Sequence, residues 1–285
     1  MSRELIQKEY DELYTLYDNA STNAEREAIR DAVQLKANQD GSSVTDAEFQ
    51  PYPAHTDPLF QDILFQKKEF NSNQLFLDTT GIEDSCNAGF SIKAHQNLLK
   101  NFMTKESPYH SLLVYHGVGV GKTCTGLTIA ENFRDTYARK NRRILILCSN
   151  NIQIGWKQTI YNPSRDENQC TGSAFVNSEA TTTREVNQLI RQYYEIMAYQ
   201  SFSNFVKRMI QQYILPLPPE DKEAGKIRCI QEYFSDRLMI IDEVHNIRDE
   251  QGGDMRETVK TIEKVIRYSD NLRLVLLTAT PMYNR

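Results

Sequence analysis

The chain has 285 residues, 40% of them hydrophobic and 25% charged, with a formal net charge of −5. That gives room for one large domain, or one domain plus a small appendage, of ordinary soluble composition. No apolar run approaches the roughly 20 residues needed to span a bilayer, the charged start MSRELIQKEYDELY lacks a signal-peptide core, and the acidic balance excludes a globally basic nucleic-acid binder while still permitting a local groove.

Residues 2–18 and 22–37 read as two helices, with Leu5, Ile6, Leu13 and Tyr17 in the first and Ile29, Val33 and Leu35 in the second recurring near helical spacing. Ser21 or Thr22 is placed to cap the second helix. The Gly-, Ser-, Asp- and Pro-rich stretch 38–58 reads as a linker, and FQDILFQKKEF within 59–80 as a short helix. This divides the chain into a helical hairpin with linker at 1–50, a linker with a short helix at 51–88, and a main domain at 89–285.

In the main domain, short apolar strands alternate with amphipathic helices. Strands are expected at Ser111–Tyr115, Ile144–Cys148, Glu195–Tyr199, Leu238–Ile241 and Leu272–Leu277. Helices are expected at Lys122–Arg139, Ile154–Tyr161, 201–213 and 255–268, and Leu215–Gly225 reads as a surface loop. The alternation predicts an α/β fold of three layers, with a central, mostly parallel sheet covered on both faces. The five cysteines form no CxxC pair and are odd in number. Free thiols in a reducing compartment are therefore expected, and a zinc site is not.

Three strand ends carry chemistry. HGVGVGKT, His116–Thr123, follows the strand SLLVY and opens a helix, which is the context of a phosphate-binding loop. Gly117, Gly119 and Gly121 allow a tight turn with N–H groups facing inward. Lys122 is placed to reach the β- and γ-phosphates, and Thr123 to offer a hydroxyl to Mg²⁺. His116 stands where the strict pattern has glycine. RLMIIDEVHNI, Arg237–Ile247, ends an apolar strand in two acids. Asp242 is placed to hold Mg²⁺, directly or through water, and Glu243 to orient and deprotonate an attacking water. LRLVLLTATP, Leu272–Pro281, ends a third strand with Thr278 and Thr280 near His245. The cluster ARKNRR, Ala138–Arg143, reads as a solvated helix end, with a nucleic-acid patch as the alternative.

Together, HGVGVGKT, DEVH and TAT resemble motifs I, II and III of superfamily 2 helicases of the DExH type, over roughly residues 90–285. The resemblance implies a RecA-like domain that uses ATP and Mg²⁺ and moves on a DNA or RNA strand. ATP contacts then fall on His116, Gly117, Val118, Gly119, Val120, Gly121, Lys122, Thr123 and Cys124, and coupling of hydrolysis to movement on His245, Thr278 and Thr280. GFSIKAHQ resembles the upstream segment whose glutamine reads adenine, which points to Gln96; a surface glutamine on a helix is the alternative. LCSNNIQIGW lies where motif Ia touches strand phosphates, with Ser149, Asn150 and Asn151 as donors and Trp156 read as core rather than a stacking platform. EIMAYQSF resembles a strand-and-loop segment of related translocases, in which Tyr199 is either structural or near the strand.

More narrowly, KKEF, AHQNLLKNFM, SPYHSLLVYHGVGVGKTC and LLTATPMYN are similar to the helicase-like NTPases of large nucleocytoplasmic DNA viruses, the poxviral early-transcription ATPases among them. This implies a viral transcription or helicase factor, with viral RNA polymerase as a partner and the virion and host cytoplasm as its location. The end at LLTATPMYNR is expected to be that of a fragment, without the second RecA-like half that supplies arginines to the transferred phosphoryl group. Two alternatives stand beside the helicase: a translocase that does not unwind, and a weakly active scaffold subunit of a transcription complex.

Overall fold

The computed structural model describes residues 10–20, 52–73, 90–117, 119–165, 168–175, 178–247 and 253–280, with positions 25, 28, 29, 31–33 and 36. Val118, Cys86, Gly89 and the segment from Pro281 onward lie outside the described residues, as do parts of the first helix and of the linkers. The chain divides into two compact units, Met1–Phe76 with Glu106–Pro108, and Leu77–Lys105 with Tyr109–Arg285.

In the first unit, α1 (Tyr10–Asn19) carries Leu13 into a small core with Ile29 and Val33, edged by Tyr17 and Ala20. The helical positions between 25 and 36 supply the other side of that hairpin. The short helix expected near residue 60 is present as α2 (Phe60–Gln66) and α3 (Lys68–Asn71), which bury Leu64 and Phe70.

The second unit is built on five strands: β1 (Ser111–Tyr115), β2 (Ile144–Cys148), β3 (Tyr194–Ala198), β4 (Leu238–Ile241) and β5 (Arg273–Thr278). Every pairing is parallel, in the order β1-β5-β4-β2-β3. Side chains alternate across a strand. Ile144, Ile146, Leu238, Ile240, Val275 and Leu277 therefore enter one core, and Leu145, Leu147, Met239 and Ile241 enter the other. The first core is covered by α5 (Lys122–Glu131), α6 (Arg134–Arg139), α7 (Gln153–Ile160) and α8 (Thr183–Tyr193). The second is covered by α9 (Tyr199–Ile214), α10 (Lys222–Phe234) and α11 (Gly253–Tyr268). This is the RecA-like α/β architecture. Coverage on the second face stops short of the edge strand, where Leu113 and Tyr115 are 54% and 62% exposed.

Three details depart from expectation. The helix from Lys122 breaks at Asn132, because its side-chain amide donates to the carbonyls of Lys100 and Met103 at the end of α4 (Ala94–Phe102) and turns the chain there. The helix α8 was not expected, although Thr182 and Glu185 form a capping box at its start. The stretch read as a loop to Gly225 is already helical from Lys222, after the 3₁₀ turn Pro219–Asp221. Prolines there start a helix instead of ending one.

The cysteine expectation holds for Cys148 and Cys229, which are free and buried. It fails for Cys124 and Cys170, which form a disulfide with Cα atoms 5.2 Å apart, and with it fails the reading of a fully reduced chain. The two lie 46 residues apart in sequence. Only the packing of the first turn of α5 near the loop after α7 brings them together.

Candidate functional site

The site forms at the carboxyl end of the sheet, where parallel α/β folds place their ligands. β5 lies between β1 and β4, so the phosphate loop after β1 and the acidic tip of β4 flank the end of β5. That order explains why Thr278, the last residue of β5, sits among the residues of both.

Gly119 and Gly121 have φ of +83° and +87°, a region that side chains rarely adopt. A Cβ at Gly121 would stand 2.8 Å from Gln96 Nε2. Gly121 is the N-cap of α5, so the N–H groups of Lys122, Thr123 and Cys124 fall in a first turn that has no intrahelical acceptors. The Lys122 ammonium leans back over the loop, 3.5 Å from the His116 carbonyl and 3.6 Å from Glu243 Oε1. The side chain of Lys122 is only 11% exposed. The loop lysine and the acid of the β4 tip thus meet directly.

Asp242 is buried and held on three sides. The Trp156 indole N–H donates to its Oδ2 at 2.8 Å, and the Glu243 N–H donates to Oδ1 at 2.9 Å. The Tyr199 hydroxyl donates to its backbone carbonyl. Burial pushes the Asp242 carboxyl up; the Trp156 N–H opposes this, Glu243 adds to it, and the Lys122 charge opposes it. The neighbouring Cys148 thiol is pushed up to about 12, mainly by burial and then by Asp242, which keeps it protonated. The Tyr199 hydroxyl is raised for the same first reason.

Glu243 adopts a left-handed backbone, φ 49° and ψ 49°, which is uncommon for a residue with a side chain and is met at strained functional positions. The turn aims its carboxylate between Lys122 and His245, whose Nδ1 lies 3.3 Å from Glu243 Oε2. The same His245 Nδ1 is 2.9 Å from Thr278 Oγ1, with the donor set by the imidazole tautomer. Thr280 donates its backbone N–H to Thr278 Oγ1 at 3.2 Å, while its own side chain is exposed.

The residues fit a magnesium ion. A buried carboxylate whose oxygens each accept one N–H keeps lone pairs for a hard cation, and the Thr123 hydroxyl stands in the first turn of the facing helix.

Other expected residues are placed as follows. Gln96 is 5% exposed: its Oε1 accepts the Lys93 N–H at 2.9 Å, and its Nε2 lies 3.4 Å from the Gly121 carbonyl. It braces the loop, and pairing with an adenine edge would require exchanging those bonds. The His116 imidazole packs edge-on against His95, with ring centroids 5.1 Å apart, while the His116 backbone N–H continues the β1–β5 ladder by donating to the Thr278 carbonyl. Val120 is 51% exposed. Cys124 is tied into the disulfide. Asn150 and Asn151 are exposed in a 3₁₀ turn just beyond β2. The basic cluster lies at the opposite end of the sheet, where Arg142 donates to the Glu232 and Tyr233 carbonyls ending α10 and Arg143 pairs with Glu195. Sequence reasoning missed the grip of Trp156 on Asp242; the single tryptophan beside three polar residues was the only signal.

No described helix is long and apolar enough to cross a membrane. No solved structure gives a significant match. Among curated proteins, the chain is 29% identical over 265 residues to a protein of Acanthamoeba polyphaga mimivirus named "Putative ATP-dependent RNA helicase", covering 82% of this chain and 22% of that protein. A second mimivirus protein of that name is 26% identical, covering 69% of this chain and 31% of its own length. The "Putative helicase" of Frog virus 3 is 25% identical, covering 67% of this chain and 18% of its own length. The chain thus spans under a third of each of these three relatives. The family described as "Type III restriction enzyme, res subunit" matches residues 90–283, the whole of the sheet with all three functional strand ends, and the chain belongs to that family.

Proposed function

We propose that this chain is the ATP-binding and hydrolysing domain of a nucleic-acid motor, a helicase or translocase acting on DNA or RNA. The observation that carries the proposal is the meeting of Lys122 with Glu243, 3.6 Å apart, beside the buried Asp242 at one end of the sheet. The names of the viral relatives support the same activity.

The chain's own residues define the steps. The N–H groups at the start of α5 and the Lys122 ammonium bind the β- and γ-phosphate oxygens. Thr123 and Asp242 would hold Mg²⁺, which when bound would neutralise charge on the phosphoryl group. Glu243 orients a water in line with the γ-phosphorus and accepts its proton. His245 sits between Glu243 and Thr278, so a shift of the β5 end is felt at the catalytic carboxylate. Asn150 and Asn151, beyond β2, are the donors offered to a strand's phosphates. Work in viral transcription beside an RNA polymerase, inside the virion or the host cytoplasm, is the setting that the narrower resemblance supports.

Two substitutions test the assignment. Lys122→Ala should abolish ATP binding measured by calorimetry, and unchanged affinity would remove the phosphate-loop role. Glu243→Gln should keep binding and reduce phosphate release at least a hundredfold; turnover at the parental rate would remove Glu243 from its place.

A further inference from the structure

We propose that Trp156 is a positioning residue for the magnesium carboxylate, acting through Asp242 and seated there by Gly126; this rests on the ATP-site reading above. Trp156 is 1% exposed, and its ring crosses the space between three elements of the site. At one edge, Nε1 donates to Asp242 Oδ2 at 2.8 Å. At the other, Cη2 lies 3.2 Å from where a Cβ on Gly126 would stand, in the middle of the phosphate-loop helix α5. The ring itself belongs to α7, which begins just beyond the Asn150–Ile152 turn, where Asn150 and Asn151 are exposed.

The geometry has a defined effect. A carboxylate buried at a strand tip can rotate about its Cβ–Cγ bond, and a single bond from the Glu243 N–H would not fix it. The second N–H, from a rigid indole, fixes the plane and leaves one lone-pair direction free on each oxygen. Position 126 has no side chain to crowd the ring; a methyl there would meet Leu277 Cδ1 at 3.1 Å and Trp156 Cη2 at 3.2 Å, so the leucine and the ring would each have to give by a few tenths of an ångström. α7 is thereby joined to the metal carboxylate by one side chain. A pull on the Asn150–Asn151 turn, where the proposed strand contacts lie, moves the indole and with it Asp242.

The test uses this chain and a fluorescent ADP analogue titrated with Mg²⁺. In Trp156→Phe, which keeps an aromatic ring without the donor, affinity in EDTA should equal that of the parent. The tightening produced by Mg²⁺ should fall about tenfold, in the range found when partners behind a metal ligand are removed. Gly126→Ala should show the same split, and it guards against loss of folding in the larger change. Trp156 is the only tryptophan. Its emission and its single indole N–H resonance in the parent should therefore shift with Mg²⁺ and nucleotide together, and not with nucleotide in EDTA. A Trp156→Phe variant with the parental Mg²⁺ response, or an indole resonance blind to Mg²⁺–nucleotide, overturns the positioning role alone. A parent chain that binds no nucleotide overturns the ATP-site reading and this proposal with it.

Discussion

At the scale of single residues, the site is a set of charges balanced against one another. On the proposed reading, the Lys122–Glu243 pair, 3.6 Å apart, occupies ground that a γ-phosphate would contest, and the two would separate as a triphosphate enters. Neutralising Glu243 as Gln frees the ammonium. If the pair contributes roughly 1 kcal/mol, as exposed and half-buried pairs do, nucleotide affinity in Glu243→Gln should rise about fivefold by calorimetry while turnover is lost. His116 titrates in the other direction. Burial, then His95 and Lys122, push its pKa below 6.5 in the folded chain. The unfolded chain therefore takes up this proton first, and stability is lost as pH falls through 6.5 toward the folded value. Urea midpoints measured from pH 7.5 to 5.5 should drop less steeply in His116→Gln than in the parent. That these residues gather at one end of the sheet was readable, because glycine, lysine and paired acids stand at strand ends in that order. Their supports were not: Trp156 and Tyr199 lie 86 and 43 residues from Asp242, and no local pattern reports contacts made by strand order.

At the scale of elements, the strands were readable to within a residue, since five short, mainly apolar segments bounded by polar turns admit little else. The helices were less so. α10 hides behind Pro216, Pro218 and Pro219 and carries Gly225 in its first turns, where a Cβ would come within 2.4 Å of Leu217 Cδ1. A glycine that looks like a breaker is there to let the preceding turn pack against the helix. The disulfide is the element-scale feature with a measurable weight. It ties the first turn of α5 to the loop after α7 across 46 residues, and a cross-link of that span restricts the unfolded chain by about 2–4 kcal/mol. Cys170→Ser should lower the unfolding free energy by that amount under oxidising conditions and leave it unchanged under reductant; equal values in parent and variant without reductant would mean that the bond does not form in solution.

At the scale of the whole molecule, the two units differ greatly in core. Leu13, Ile29 and Val33 make a small cluster in the first, whereas the sheet of the second carries an apolar layer on each face. Among the described residues the first unit has the smaller core, and a small core gives marginal stability. Calorimetry should show a small transition before a large one, and a chain lacking residues 1–76 should lose only the first. The arrangement of the sheet has one more consequence, which concerns synthesis. Among the described residues, β1 pairs with β5 alone, and Arg273 at the start of β5 donates to the Tyr109 carbonyl 164 residues earlier. The phosphate loop is therefore translated early, with Gln96 to brace it but without a neighbouring strand until the threonine-bearing strand has left the ribosome. Nascent chains stalled before that point should be unable to grip a nucleotide, so on the proposed reading the growing polypeptide would not burn fuel before its sheet is closed.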